Sequence, residues 1–200
     1  MKLCALLLTA ALICLGQSMT ADTSKCFGNP NAAVRLDVFS DFECPACRAF
    51  HLDLLPQIER DYGPTGKIFI VSHEYPLNIP AHKFSHEVAN YATACARIGK
   101  YDAVANSLFQ NQPTWYSEGP KPGQFWEYIA AVLNPAEQKR VQALAKDPSV
   151  IAEVNNDVSL GTRLNVNSTP TLILSHGSQR YSLPWPVSYS LFKSMVDGMK

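Results

Sequence analysis

The chain has 200 residues, 46% hydrophobic and 17% charged, and its 17 basic and 17 acidic side chains give a formal net charge of zero. That length suits one domain with a full core, or a compact domain carrying an insertion. The even charge, with no basic stripe, argues against a nucleic acid or an anionic membrane surface as partner.

The first residues read as an address. Lys2, the apolar run Leu3 to Leu15 and the small and polar residues Gly16 to Ala21 follow the order of a secretory signal peptide. The run is too short to span a bilayer. Cleavage after Ser18 or Ala21 is expected, with a retained signal anchor as the alternative; Ile13 stands where a lipid-attached Cys14 would want a small residue. Export leaves Cys26, Cys44, Cys47 and Cys95 in an oxidising compartment.

Residues 22–33 are polar, with a turn signal at Asn29-Pro30-Asn31, and lead into a strand at Val34-Arg-Leu-Asp-Val-Phe39. Alternation sends Val34, Leu36 and Val38 one way and Arg35, Asp37 and Phe39 the other. Asp37 is expected on the side covered by the next helix or at its edge, either as proton acceptor for Cys47 or as a solvated residue paired with Arg35 or Lys67. At Asp41-Phe-Glu-Cys-Pro-Ala-Cys-Arg48 the strand gives way to a helix expected over 45–61, with a kink at Pro56. Pro45 suits the first turn, where its missing N–H has no intrahelical partner to lose. Cys44 then stands at a helix N-terminus, whose unpaired N–H groups and dipole favour the thiolate that attacks disulfides.

Two thiols at this spacing admit three chemistries. Zinc would need a second ligand pair at finger-like spacing, which the chain lacks. A structural disulfide across so short a loop constrains the unfolded chain little. Thiol–disulfide exchange fits the placement best.

Gly63-Pro-Thr-Gly66 closes the helix, and Lys67 to Ser72 reads as a buried strand parallel to the first through a right-handed crossover. Beyond Tyr75 to Pro80 the period is helical to about residue 161, with helices expected at 81–98, 100–111, 123–133, 135–145 and from 148 toward 160, and a loop at 112–123. His82 and His86, four apart without a third ligand, read as a wet helix face rather than a metal pair. Cys95 falls on an apolar helical stripe and reads as a buried small hydrophobe, with a Cys26–Cys95 bridge as the alternative. Trp115, Tyr116, Phe125 and Trp126 read as core, or as the lining of a peptide groove. Strand chemistry returns at Thr169 to Leu174, and a last helix is expected over 187–199. Pro170 is compatible with a trans bond at an edge strand, or with a cis bond that exposes the Thr169 backbone beside Cys44 for an extended peptide.

Asp41-Phe-Glu-Cys-Pro-Ala-Cys47, Glu74-Tyr-Pro-Leu77, Ala94-Cys-Ala with Gly99-Lys-Tyr and Leu108-Phe-Gln, and Val166-Asn-Ser-Thr-Pro-Thr-Leu172 follow in an order and spacing that resembles the DsbA-like thioredoxin-fold family over about residues 26–200. The resemblance implies an α/β thioredoxin fold interrupted by an all-helical insertion: signal peptide 1–21, first thioredoxin-fold part 22–78, insertion 79–161 and second part 162–200. It implies disulfide exchange with secreted polypeptides in the periplasm or another extracytoplasmic space, as an oxidant in disulfide formation. A reductase or isomerase kept reduced by a membrane partner is the second reading, and an exported peptide-binding module with a structural disulfide the third.

By the same resemblance Cys44 is the nucleophile, Cys47 the resolving thiol, Asp37 the buried acid and Pro170 a cis-proline, with Pro45, Ala46, Thr169 and Pro170 contacting substrate. Folding secreted polypeptides and a membrane redox partner are the expected partners; no nucleic acid, metal or cofactor is expected. Ala46 stands where the best-known member carries His, so no imidazole lies between the cysteines. The Cys44 pKa is therefore expected between ~3.5 and ~8.5, near the ~7 of thioredoxin.

Overall fold

The computed structural model describes residues 25–116, 123–183 and 185–199. The residues assigned to a signal peptide and the middle of the Pro- and Gly-rich loop lie outside the described residues. The β-branched run at Val34 forms strand β2 (Val34–Ser40), and the apolar run after Gly66 forms β3 (Ile68–Glu74). These pair in parallel, Val34 opposite Ile68 and Ser40 opposite Glu74. Strand β4 (Thr171–His176) lies antiparallel on the other side of β2, with Asp37 opposite Ile173. Two elements with weak sequence signals complete the sheet. Strand β1 (Cys26–Gly28) is only three residues long, and β5 (Gln179–Leu183) is polar and exposed over its first four. The order is β1-β3-β2-β4-β5, which places β2 at the centre.

The crossover from β2 to β3 begins as helix α1 (Pro45–Ala49), widens into a π-turn at Phe50–Leu54 and continues as α2 (Leu55–Tyr62). The expected kink at Pro56 is thus taken up one turn earlier. Pro56 has no N–H to give the Leu52 carbonyl, and its ring would collide with that oxygen, so the preceding turn opens to the wider pitch. Phe50, Leu54 and Ile58 from this segment pack on Val34, Leu36 and Val38, and on Phe192 and Val196 of the last helix (Tyr189–Gly198). The opposite face carries Phe39, Ile173 and Val166.

Between β3 and β4 the chain is helical: α3 (Ser85–Ala96), α4 (Tyr101–Gln110), α5 (Gln112–Trp115), α6 (Trp126–Ala130), α7 (Pro135–Leu144) and α8 (Pro148–Arg163). Trp115, Phe125, Leu108, Val104 and Cys95 form its core, together with Phe42 and Cys44 from the turn after β2 and Cys47 of α1. The aromatic residues Trp115 and Phe125 are therefore core, with Tyr116 and Trp126 partly buried against it. The first inserted helix starts at Ser85 and not at Ala81. Residues before it form turns, with the His82 N–H on the Ile79 carbonyl, and the Phe84 N–H is taken by a side-chain oxygen of Glu43, 41 positions earlier.

Helix α8 lies across the sheet at a glycine. A Cβ on Gly161 would stand 2.4 Å from a ring carbon of Tyr75 and 3.2 Å from Phe39. The Tyr75 ring cannot swing aside, because its hydroxyl donates to the Val166 carbonyl at 2.8 Å. Gly161→Ala is expected to destabilise the fold by about 1–3 kcal/mol through overpacking, read as a lower unfolding midpoint in denaturant at unchanged slope.

Candidate active site

Cys44 is the residue before α1, with extended backbone, while Pro45 opens the helix and Cys47 sits one turn in. The turn is closed by the Cys44 N–H donating to the Asp41 carbonyl at 3.1 Å, and by the Arg48 N–H donating to the Cys44 carbonyl at 3.2 Å. None of the four cysteines in the described residues is in a disulfide, so the pair is seen as a dithiol.

The two thiols differ. Cys44 is 8% exposed and Cys47 fully buried. A hydrogen bond from Cys47 is the largest influence on Cys44; with the Thr169 side chain and the N–H groups of Cys47 and Ala46, it outweighs burial and lowers the Cys44 pKa to about 6. Burial, then the hydrogen bond and charge of Cys44, pushes Cys47 well above the ordinary thiol value. The Asp41 N–H approaches the Cys47 sulfur at 3.4 Å. Titrating the reduced protein by thiolate absorbance should therefore give a first midpoint near 6. A midpoint at the ~8.5 of an unperturbed thiol would mean that the helix start and the second thiol do not act on Cys44.

The loop before β4 completes this face. The Thr169–Pro170 bond is cis, and the Cys44 S–H donates to the Thr169 carbonyl at 3.3 Å. The Thr169 hydroxyl is buried and has no hydrogen-bond partner among the described residues of the dithiol; it favours the thiolate once that forms. Pro45 is exposed and Ala46 half-buried, so Pro45, Ala46 and Thr169 border the less buried thiol.

The helical lobe braces the turn with groups that the sequence did not announce. Gln112, 2% exposed, donates from one amide nitrogen to the carbonyls of Phe42 at 2.7 Å and Cys44 at 3.0 Å. Arg48 donates to the Phe109 carbonyl at 2.9 Å, and Phe42 stacks on Phe109 with centroids 4.8 Å apart. On the other side of the turn, the Asp41 carboxylate accepts from the N–H groups of Glu43 and Leu77, both at 2.8 Å, from His82 Nδ1 at 2.7 Å and from the Ser85 hydroxyl at 2.6 Å. His82 is therefore not part of a wet helix face: it lies ahead of α3 with its side chain 7% exposed, while His86 is exposed on the helix. Among the described residues no group of three or more His, Cys, Asp or Glu is arranged to hold a metal ion.

Asp37 is not brought to the thiols. Because α1 and α2 cover Val34, Leu36 and Val38, the alternate side chains face α8, and Asp37 bonds Arg35 at 2.6 Å and His73 at 2.7 Å. His73 continues to Asp157 of α8 at 2.8 Å, and Lys25 joins Asp157 at 2.8 Å and Glu153 at 3.1 Å. The acid proposed from the sequence as proton acceptor for Cys47 is thus part of an ion network on the far face of the sheet. Cys26 and Cys95 are likewise apart in the fold, Cys26 in β1 opposite Val71 and Cys95 buried in the helical core.

A family profile described as Thioredoxin matches residues 20–197, nearly the whole chain. The chain belongs to this thioredoxin family. It is 24% identical over 153 residues to disulfide bond formation protein D of Bacillus subtilis, covering 74% of this chain and 66% of that protein. It is 24% identical over 171 residues to Na(+)/H(+) antiporter NhaA 1 of Mycolicibacterium gilvum, covering 86% of this chain but only 26% of that longer protein. In structure it resembles α-DsbA1 of Wolbachia pipientis, with a TM-score of 0.74 at 19% identity, covering 88% of this chain and 89% of that one. The likeness establishes the thioredoxin fold with its DsbA-type helical insertion.

Proposed function

We propose that the chain is a thiol:disulfide oxidoreductase that works outside the cytoplasm and donates its Cys44–Cys47 disulfide to secreted polypeptides. The observation that carries this reading is the asymmetry of the thiols. Cys44 is held toward its thiolate beside an exposed proline and the Thr169 carbonyl, and Cys47 is buried and held protonated. A substrate thiolate attacks the Cys44 sulfur, and the Cys44–Cys47 bond breaks with Cys47 leaving as thiolate and taking up a proton. A second substrate thiolate then attacks the substrate sulfur of the mixed disulfide and expels Cys44 as its stabilised thiolate. The substrate loses two electrons, the protein gains two, and a membrane redox partner removes them to restore the disulfide.

A low-pKa leaving thiolate stabilises the reduced protein and so makes the disulfide an oxidant. The signal-like residues 1–21 support export, and the name of the Bacillus relative supports the chemistry. A Cys44 pKa of about 6 lies nearer thioredoxin than DsbA, which favours reductase or isomerase work as a second reading. Mixing the oxidised protein with reduced, unfolded ribonuclease distinguishes the two. Return of ribonuclease activity at a rate above that with glutathione disulfide alone is expected. Failure there, combined with rapid reduction of insulin by the dithiol form, would favour the second reading.

A further inference from the structure

Beside Cys44 lies a buried cluster that thiol exchange does not itself require. Glu43 is fully buried, and its Oε2 lies 2.8 Å from the Ser85 hydroxyl, which also lies 2.6 Å from Asp41 Oδ1. A serine hydroxyl has one hydrogen and can donate to only one of them. The second contact is a hydrogen bond only if a carboxyl carries a proton. Asp41 already accepts from two backbone N–H groups and from His82, which suits an ionised carboxylate. Among the described residues, and apart from the Ser85 contact, Glu43 accepts only the Phe84 N–H at 2.9 Å, and its Oε1 is buried without a partner. Half of an ionised carboxylate left in that position would be costly, whereas the carbonyl oxygen of a neutral acid costs much less.

We propose that Glu43 is held as a neutral carboxylic acid donating to Ser85, and that His82, clamped on Asp41, is a cation beside it, so that the cluster sets no net negative charge against the Cys44 thiolate. Ser85 passes its own hydrogen to Asp41, and the ionised Asp41 takes the Nδ1–H of His82. Among the described residues, the titratable groups around Glu43 are Asp41 and Cys44 in its own turn, His82 from the loop before α3, and the phenol of Tyr116 just after α5, whose ring meets that of His82 edge-on at 5.9 Å. Burial pushes Glu43 up from the ordinary carboxylate value, and the hydrogen bond to Asp41 raises His82, as this arrangement requires. Glu43 and His82 are positioning residues: they act through the charge that Cys44 meets.

The inference rests on Cys44 as the exchanging thiol, yet its readouts are protonation states of the reduced protein and stand apart from the direction of exchange. Glu43→Gln replaces the neutral acid by an amide of the same shape, so the Cys44 thiolate midpoint should stay within a few tenths of a unit. The wild-type minus variant infrared spectrum at pH 7 should show the carbonyl band of a protonated carboxylic acid. A lower midpoint, a carboxylate band in place of the acid band, or loss of the fold in Glu43→Gln each overturns the neutral Glu43. His82→Gln removes the cation and leaves Asp41 uncompensated, and should raise the Cys44 midpoint by about one unit, tenfold in the thiolate equilibrium. His82→Lys retains a cation and should hold it near the wild-type value. An unchanged midpoint in folded His82→Gln, or a His82→Lys midpoint as high as an uncharged variant would give, overturns the part assigned to His82.

Discussion

Cys44→Ser is expected to bring disulfide transfer to the background rate in both directions, while Cys47→Ser leaves a protein that accumulates as mixed disulfides with its substrates. The two cysteines are three positions apart, yet the fold gives them different access and different proton affinity. Substrate sulfur can reach Cys44, which borders Pro45 and the Thr169 backbone, and cannot reach Cys47, which has no exposed surface. With Cys47 absent, a Cys44 thiolate can still attack a substrate disulfide, but no internal thiol remains to release the product. Non-reducing electrophoresis after incubation with a disulfide-containing substrate reads both outcomes. Trapping by Cys44→Ser instead of Cys47→Ser would reverse the order of the thiols.

The largest effect on stability is expected from Asp157→Ala, on the far face of the sheet. Asp157 accepts from His73 and Lys25, both at 2.8 Å, and from the Glu74 N–H at 3.0 Å. His73 stands between Asp157 and Asp37, and because ionised carboxylates only accept, both its ring nitrogens carry hydrogen and the ring is cationic. Removing Asp157 leaves two buried cations short of a partner, a loss of about 3–5 kcal/mol.

The loss should depend on pH in a stated direction. Burial opposes the charge on His73, but its bonds to Asp157 and Asp37 raise its pKa. That contribution is full below the unfolded value of ~6.5 and is lost as pH rises through the folded one. Burial likewise opposes the charges of Asp157 and Asp37, but the bond to His73, with Lys25 for Asp157 and Arg35 for Asp37, lowers both pKa values. Their contribution is present above ~3.9 and fades as pH falls through the folded values. The stability gap between wild type and Asp157→Ala, measured by denaturant unfolding of the reduced proteins, should therefore be widest between about pH 4 and 6.5. A gap that grows steadily above pH 7 would contradict a cationic His73.

The chemistry-bearing residues were legible because they are local. A strand, Cys-X-X-Cys with proline second and an apolar helical repeat lie in one stretch of chain, and local pattern suffices to put Cys44 at a helix start. The face taken by Asp37 was not legible. Alternation separates Val34, Leu36 and Val38 from Arg35, Asp37 and Phe39, but which set meets the following helix is decided by tertiary packing. His82 and Gln112 were missed for a related reason: their partners Asp41 and Cys44 lie 41 and 68 positions away, and no spacing rule connects them. The helical period before Ser85 misled because the Glu43 side chain, arriving from elsewhere in the chain, takes the Phe84 N–H at the start of the helix. Strand β5 carried no apolar alternation to read, since it is an exposed edge.

The reduction potential of the Cys44–Cys47 couple, obtained by equilibrating the protein with glutathione buffers at pH 7, tests most directly whether this pair is an exchange centre with a stabilised thiolate. A Cys44 pKa of about 6 places it between thioredoxin, near −270 mV, and DsbA, near −120 mV, with a value of about −200 mV expected. A potential below about −300 mV would make the bridge an inert structural one and contradict the role proposed for Cys44.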